Sequence, residues 1–133
     1  MQEIIRGNET ILLIEDEESL AELMKMLLEE QGYKVLFARD GEEGLLLYKQ
    51  HKNEIAVVIT DMGLPKLGGW EVFKKVREID PKAKVILASG YVDQKLKAEM
   101  ISTGAKDFLQ KPYDPAQIAK KIREMIDGEK PVT

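Results

Sequence analysis

The chain has 133 residues, of which 44% are hydrophobic and 33% charged, with a net charge of −4 and no cysteine. That describes one globular domain of ordinary size, able to bury roughly two-thirds of its unfolded surface, and it excludes disulfide frameworks, thiolate metal sites and cysteine nucleophiles. The acidic balance and an aromatic content of only 6% argue against nucleic acid as the partner, and no apolar run approaches the ~18 residues of a membrane span.

The opening MQEIIRGNE (1–9) reads as a linker without a signal-peptide core, and GEKPVT (128–133) reads as a tail, leaving 10–127 as the folded unit. Ile11 to Ile14 form a first strand, which runs into Glu15, Asp16, Glu17 and Glu18. A helix follows, with Leu20, Leu23, Met24, Leu27 and Leu28 at helical spacing, and Gly32 ends it. The stretch YKVLFA is a second strand with the polar character of an edge. Asp40 with Glu43 three residues on is a capping-box pattern that starts a second helix. IAVVIT is an apolar third strand, and DMGLPKLGG is a loop punctuated by Pro65 and the Gly68–Gly69 pair. Val72, Phe73, Val76 and Ile79 mark a third helix stopped at Asp80–Pro81. KVILAS is a fourth strand, 93–103 a weaker fourth helix, and KDFLQ a short fifth strand. Asp114 as N-cap and Pro115 at the first helical position open a fifth helix, with Ile118, Ala119, Ile122, Met125 and Ile126 on its inner face. Strands alternating with helices predict an α/β fold, a parallel sheet with helices on both faces.

Ligands of such sheets bind beyond the carboxyl ends of the strands. Those ends carry Glu15 and Asp16, then Asp61, then Ser89, then Lys111. If the first and third strands are adjacent, Glu15, Asp16 and Asp61 converge; two carboxylates ~5 Å apart repel by roughly 3 kcal/mol at an effective dielectric near 20, so three together call for a cation. Oxygen donors without His or Cys favour Mg²⁺, with Mn²⁺ as a substitute. A strand-end carboxylate can act as a nucleophile and carry an acyl phosphate, and Asp61 is the best placed. Lys111 would neutralise phosphoryl oxygens, Ser89 could donate to one, and the Gly63 carbonyl could serve as a metal ligand. Glu17 and Glu18 suit a first helical turn instead. Each piece alone has a plainer reading as a cap, a turn or a surface lysine; together they do not. His51, Trp70, Met24, Met26 and Met100 read as a solvated histidine, a partly exposed packing residue and core methionines.

The stretches LLIEDEE, VVITDMGLP, VILASGY and FLQKPY, in this order and spacing, resemble the receiver domain of two-component response regulators over about residues 10–127. The resemblance implies a flavodoxin-like three-layer α/β/α fold with a five-stranded parallel sheet of order 2-1-3-4-5. It implies Asp61 as phosphoacceptor from a phosphohistidine, and Asp16, Asp61 and the Gly63 carbonyl as Mg²⁺ ligands, with Glu15 acting mostly through water. Ser89 and Lys111 would contact the phosphoryl group, Ser89 and Phe108 would form the switch, and Lys111–Pro112 would be a cis bond. Phe108 stands where a tyrosine is common, which puts any switch through a hydroxyl in doubt. Gly63 and Tyr91 would set the access of water to the acyl phosphate.

The implied partner is a histidine kinase or histidine phosphotransfer domain, and a homodimer through the fourth helix, fifth strand and fifth helix is one arrangement the family allows. The domain would promote its own phosphotransfer and autodephosphorylation without being a classical enzyme. ETILLIEDEE, LASGY and FLQKPY look most like receivers fused to hybrid sensor histidine kinases, so the expected setting is cytoplasmic, tethered to a membrane sensor if part of a longer kinase. The rival readings are a pseudo-receiver that is never phosphorylated, and a Mg²⁺-dependent phosphatase with an aspartyl nucleophile. The phosphatase needs a second Asp where Gly63 stands.

Overall fold

A computed structural model describes residues 7–64, 66–90, 94–105, 107–111 and 114–128. The elements in chain order are β1 (Thr10–Ile14), α1 (Glu18–Glu30), β2 (Lys34–Ala38), α2 (Gly41–His51), β3 (Ile55–Asp61), α3 (Gly69–Ile79), β4 (Val85–Ser89), α4 (Gln94–Thr103), β5 (Phe108–Gln110) and α5 (Pro115–Asp127). All five strands are parallel in the order β2-β1-β3-β4-β5. The expected order holds, and so does the edge position of the second strand. Asp61 is the last residue of β3 rather than the first of a loop.

Successive strand residues point to opposite faces of a sheet. Ile11, Leu13, Val57, Ile59, Ile86 and Ala88 therefore pack on one side with Ala21, Met24 and Leu28 of α1 and Ile118 and Ile122 of α5. Leu12, Ile14, Val58, Val85 and Leu87 pack on the other with Tyr48 of α2, Val72, Phe73 and Val76 of α3, and Met100 of α4. Both faces being covered explains why β1, β3 and β4 read as unbroken apolar runs.

The helix ends follow local chemistry. The Asp40 side chain accepts from the Glu43 N–H at 2.8 Å. Gly32, at φ 101°, terminates α1. At α5 the capping box is complete: Asp114 Oδ1 accepts from the Gln117 N–H at 2.8 Å, and Gln117 Oε1 accepts from the Asp114 N–H at 3.0 Å.

Two expectations need correction. Leu23 and Met26 are 48% and 52% exposed, not core. α1 buries only the narrow line Ala21, Met24 and Leu28. Leu23 lies about 100° around the helix from Met24, and Met26 about 200°. Residues 7–9, part of the stretch expected as linker, hydrogen-bond to the folded unit. The Gly7 N–H donates to Gln31 O at 2.9 Å, the Lys34 N–H to Glu9 O at 3.0 Å, and Arg123 Nη1 to Glu9 Oε1 at 2.9 Å. No helix of the described residues is long and apolar enough to cross a membrane.

Candidate functional site

The parity that sorts the core also assembles the site. Glu15 continues the series Ile11, Leu13; Asp61 continues Val57, Ile59; Lys111 continues Leu109. All three therefore lie on the α1/α5 side, at the carboxyl edge of three strands. The ladder is carried past the strand ends, with the Glu15 N–H donating to Ala38 O at 3.0 Å and the Lys111 N–H to Ser89 O at 2.8 Å. These bonds hold the backbones from which the side chains converge.

Lys111 Nζ lies 3.0 Å from Glu15 Oε1 and 3.0 Å from Asp61 Oδ1. One ammonium thus bridges two carboxylates. The other oxygen of each is held by backbone, with the Glu17 N–H donating to Glu15 Oε2 at 3.1 Å and the Gly63 N–H to Asp61 Oδ2 at 3.2 Å. Glu15 is only 3% exposed. Its carboxylate pairs with Lys111 and accepts from the Glu17 N–H. Burial pushes the Glu15 carboxyl up; the Glu17 N–H and Lys111 pull against this, and the Asp61 charge adds to it. Burial alone would lower the Lys111 ammonium, but its hydrogen bonds to Asp61 and Glu15, and their charges, outweigh burial and raise it well above the ordinary lysine value.

Asp16 is exposed, and it completes a group in which Glu15, Asp16 and Asp61 each offer an oxygen within 4.8 Å of the others. The donors are hard oxygens, one of them open to solvent, and this chemistry fits Mg²⁺ or Mn²⁺ rather than a nitrogen- or sulfur-seeking metal. Gly63 is exposed, and a Cβ there would sit 3.6 Å from Asp61 Oδ2, an ordinary contact, so the glycine leaves the carboxylate open on that side.

Ser89 has the opposite parity. β4 carries it one residue past Ala88, the register partner of Asp61. It lines a cavity of about 200 Å³ with Leu87, Gln94, Lys97, Phe108 and Gln110. The half-buried Phe108 ring has Lys97 Nζ 5.4 Å from its centroid. The structure thus brings Ser89 and Phe108 together on the α4 side, and Glu15, Asp16, Asp61 and Lys111 together on the other. Tyr91, Pro112 and Pro65 lie outside the described residues, and with them the access role of Tyr91 and the cis Lys111–Pro112 bond.

One contributor was missed from sequence. A Cβ at Gly69 would lie 2.2 Å from the Asp61 carbonyl oxygen, so only glycine lets α3 start against the backbone of Asp61. The Gly69 N–H donates to Met62 O at 3.2 Å and closes the loop. The Gly68–Gly69 pair was visible, but it read only as punctuation.

Residues 11–123 match the model of the response regulator receiver domain family. The chemotaxis protein CheY of Thermotoga maritima is 31% identical over 86% of this chain and 95% of its own length. The alkaline phosphatase synthesis transcriptional regulatory protein PhoP of Bacillus subtilis is 31% identical over 90% of this chain and 49% of its own length. Sensor kinase CckA of Brucella abortus is 28% identical over 94% of this chain and 13% of its own length. Among solved structures, a response regulator receiver domain protein from Clostridium thermocellum superposes with a TM-score of 0.84 at 34% identity, covering 90% of this chain and 94% of that one. A chain of the CheX–CheY–BeF3–Mg complex from Borrelia burgdorferi gives a TM-score of 0.81 at 27% identity, covering 87% of each chain.

Proposed function

The chain belongs to the response regulator receiver domain family of two-component signalling, and from that premise we propose that Asp61 is its phosphoacceptor. The observation that carries the assignment is the single ammonium of Lys111 bridging Asp61 and the buried Glu15, with Asp16 beside them. A carboxylate oxygen of Asp61 attacks the phosphorus of a phosphohistidine on a histidine kinase or phosphotransfer domain. The O–P bond forms, the N–P bond breaks, and the electron pair leaves with the imidazole. Lys111, held protonated, shifts from carboxylate to phosphoryl oxygens, and Ser89 donates to another. Asp16, Asp61 and the Gly63 carbonyl, backed by Glu15, would hold a Mg²⁺ or Mn²⁺ ion, which when bound neutralises charge on the phosphoryl oxygens.

The switch is read as Ser89 drawn toward the phosphoryl group and the Phe108 ring moving within the cavity they share, which reshapes the surface of α4, β5 and α5. That surface would meet a downstream partner or a second copy. The receiver unit is taken as residues 10–127. The matched relatives include both a chemotaxis protein of about this length and a sensor kinase of which the match covers 13%, so a receiver inside a longer kinase and a free-standing one both fit this reading. Gly63 in place of an acid speaks against the phosphatase reading, and the filled pocket speaks against a pseudo-receiver.

The test is intact-protein mass after incubation with Mg²⁺ and a small acyl-phosphate donor. One phosphoryl group is expected on the wild type and none on Asp61→Asn. An adduct on both would overturn the assignment of Asp61. An adduct on neither, together with no beryllofluoride complex, would favour the pseudo-receiver.

A further inference from the structure

The loop between β3 and α3 has two arms. The inner arm carries Gly63, whose N–H holds Asp61 Oδ2, and Met62, whose N–H donates to Ala88 O at 2.9 Å. The outer arm carries Lys66 and Leu67 and rests on the start of α2. A Cβ at Gly41 would lie 1.9 Å from Leu67 O, so the two backbones touch there. Lys66, at φ 65°, is the one non-glycine residue with positive φ among the described residues. L side chains seldom adopt that conformation and glycine adopts it freely, so glycine would relieve the backbone. A lysine held there against its preference points to a role for its ammonium. Lys66 Nζ lies 3.6 Å from Asp40 Oδ2. Asp40 Oδ1 meanwhile caps α2 through the Glu43 N–H at 2.8 Å. One carboxylate thus ties the helix start and the loop together.

We infer that the Lys66–Asp40 pair is a positioning latch: it pins the outer arm of the β3–α3 loop to α2 and so holds Gly63 and the Asp61 carboxylate where they take up a divalent cation. The inference rests on the metal-binding role proposed for that pocket. At Lys66, position and charge alone make opposite predictions; at Asp40 they agree in sign, so the Lys66 variants decide. A cation removed from near a cation site strengthens Mg²⁺ binding by electrostatics alone, whereas the loss of a latch weakens it.

The experiment is an amide NMR titration of the full chain with Mg²⁺ alone, following Gly63 and Trp70. Lys66→Gln, and Asp40→Asn, which keeps an N-cap acceptor, are each expected to weaken Mg²⁺ binding about two- to five-fold, the range an exposed pair can supply. The double variant should be no weaker than either single one, and Lys66→Arg should bind like wild type. Lys66→Gly should raise the thermal midpoint by releasing the backbone, yet still weaken Mg²⁺, a divergence that a purely structural role would not produce. Wild-type or tighter Mg²⁺ binding by Lys66→Gln or Lys66→Gly would overturn the latch and leave the pocket assignment intact. Absence of saturable Mg²⁺ binding by the wild type would overturn the pocket assignment and the latch with it.

Discussion

Replacing Lys111 with Met keeps most of the side-chain stem and removes the charge that holds the pocket together. Two contacts of 3.0 Å are lost, to Glu15 and to Asp61. Those carboxylates offer oxygens within 4.8 Å of each other, and at an effective dielectric of 20 that repulsion is about 3 kcal/mol. The Lys111 side chain is 23% exposed and the Glu15 side chain 4%, so the loss belongs at the lower end of the range for a broken buried pair, about 3 kcal/mol near neutral pH. The pH dependence follows from the pKa directions. Glu15 is already raised, and without Lys111 it rises further. A carboxyl with a raised folded pKa takes up its proton readily in the folded state, so its effect on stability is most favourable at low pH and worsens as pH rises through the folded value. Lys111 is raised as well; its contribution is fully present below the ordinary lysine value and is lost only as pH climbs through the higher folded one. The deficit of Lys111→Met should therefore be larger at pH 8 than at pH 5, because lower pH favours the protonated form that the raised Glu15 carboxyl leans toward. Urea unfolding without Mg²⁺ at both pH values, followed by Trp70 fluorescence, measures it. Equal deficits at the two pH values, or wild-type stability at pH 8, would refute the claim that Lys111 neutralises Glu15.

Two further substitutions probe the same pocket. Asp16→Asn removes the exposed member of the carboxylate group. Without metal it should raise stability by up to about 1 kcal/mol, while Mg²⁺ affinity falls at least about tenfold; urea unfolding and a Mg²⁺ titration read the two opposite effects. Gly69→Ala places a Cβ 2.2 Å from the Asp61 carbonyl. It should destabilise by about 1–3 kcal/mol and slow phosphoryl uptake in the mass assay, whereas Gly68→Ala, whose nearest neighbour would be Met62 O at 3.4 Å, should be mild in both.

Much of this was legible in the sequence because both faces of the sheet are covered. A central strand with helices on both sides has to be apolar at every position, and IAVVIT and VILAS display that directly. A carboxylate at the end of such a run stands out, as Asp61 and Glu15 do. Helix faces were harder to read. Leu23 and Met26 sit on α1 among residues of similar hydrophobicity, and the line that is buried depends on how α1 lies beside α5 and the sheet. Ala21 is buried while Leu23 is not, and composition alone would rank them the other way. The contacts least legible join distant segments. Lys111 meets Glu15 across 96 residues, and strand order alone does not tell that the lysine is already paired with two carboxylates. Gly69 against Asp61 and Lys66 against Asp40 are similar: each looks like turn chemistry until the neighbouring element is in place.

The division of the site between the two faces bears on how a change at Asp61 could travel. Glu15, Asp61 and Lys111 share one parity, and Ser89 and Phe108 line a cavity on the other face. The two groups are joined through the backbone, because the Lys111 N–H donates to Ser89 O at 2.8 Å. On the proposed assignment, an acyl phosphate replaces the single charge of Asp61 with about −1.5 to −2. That draws the Lys111 ammonium away from Glu15, whose buried carboxylate then loses part of its neutralisation. The pull on Lys111 and the pull on the Ser89 hydroxyl act on residues tied to each other at the edge between β4 and β5. Phe108 begins β5 opposite Leu87, two residues before Ser89. A rearrangement of β4 and β5 at this edge would therefore move one wall of the cavity beside the ring, and on the proposed assignment the charge change on one face would reach the aromatic on the other through these two strands.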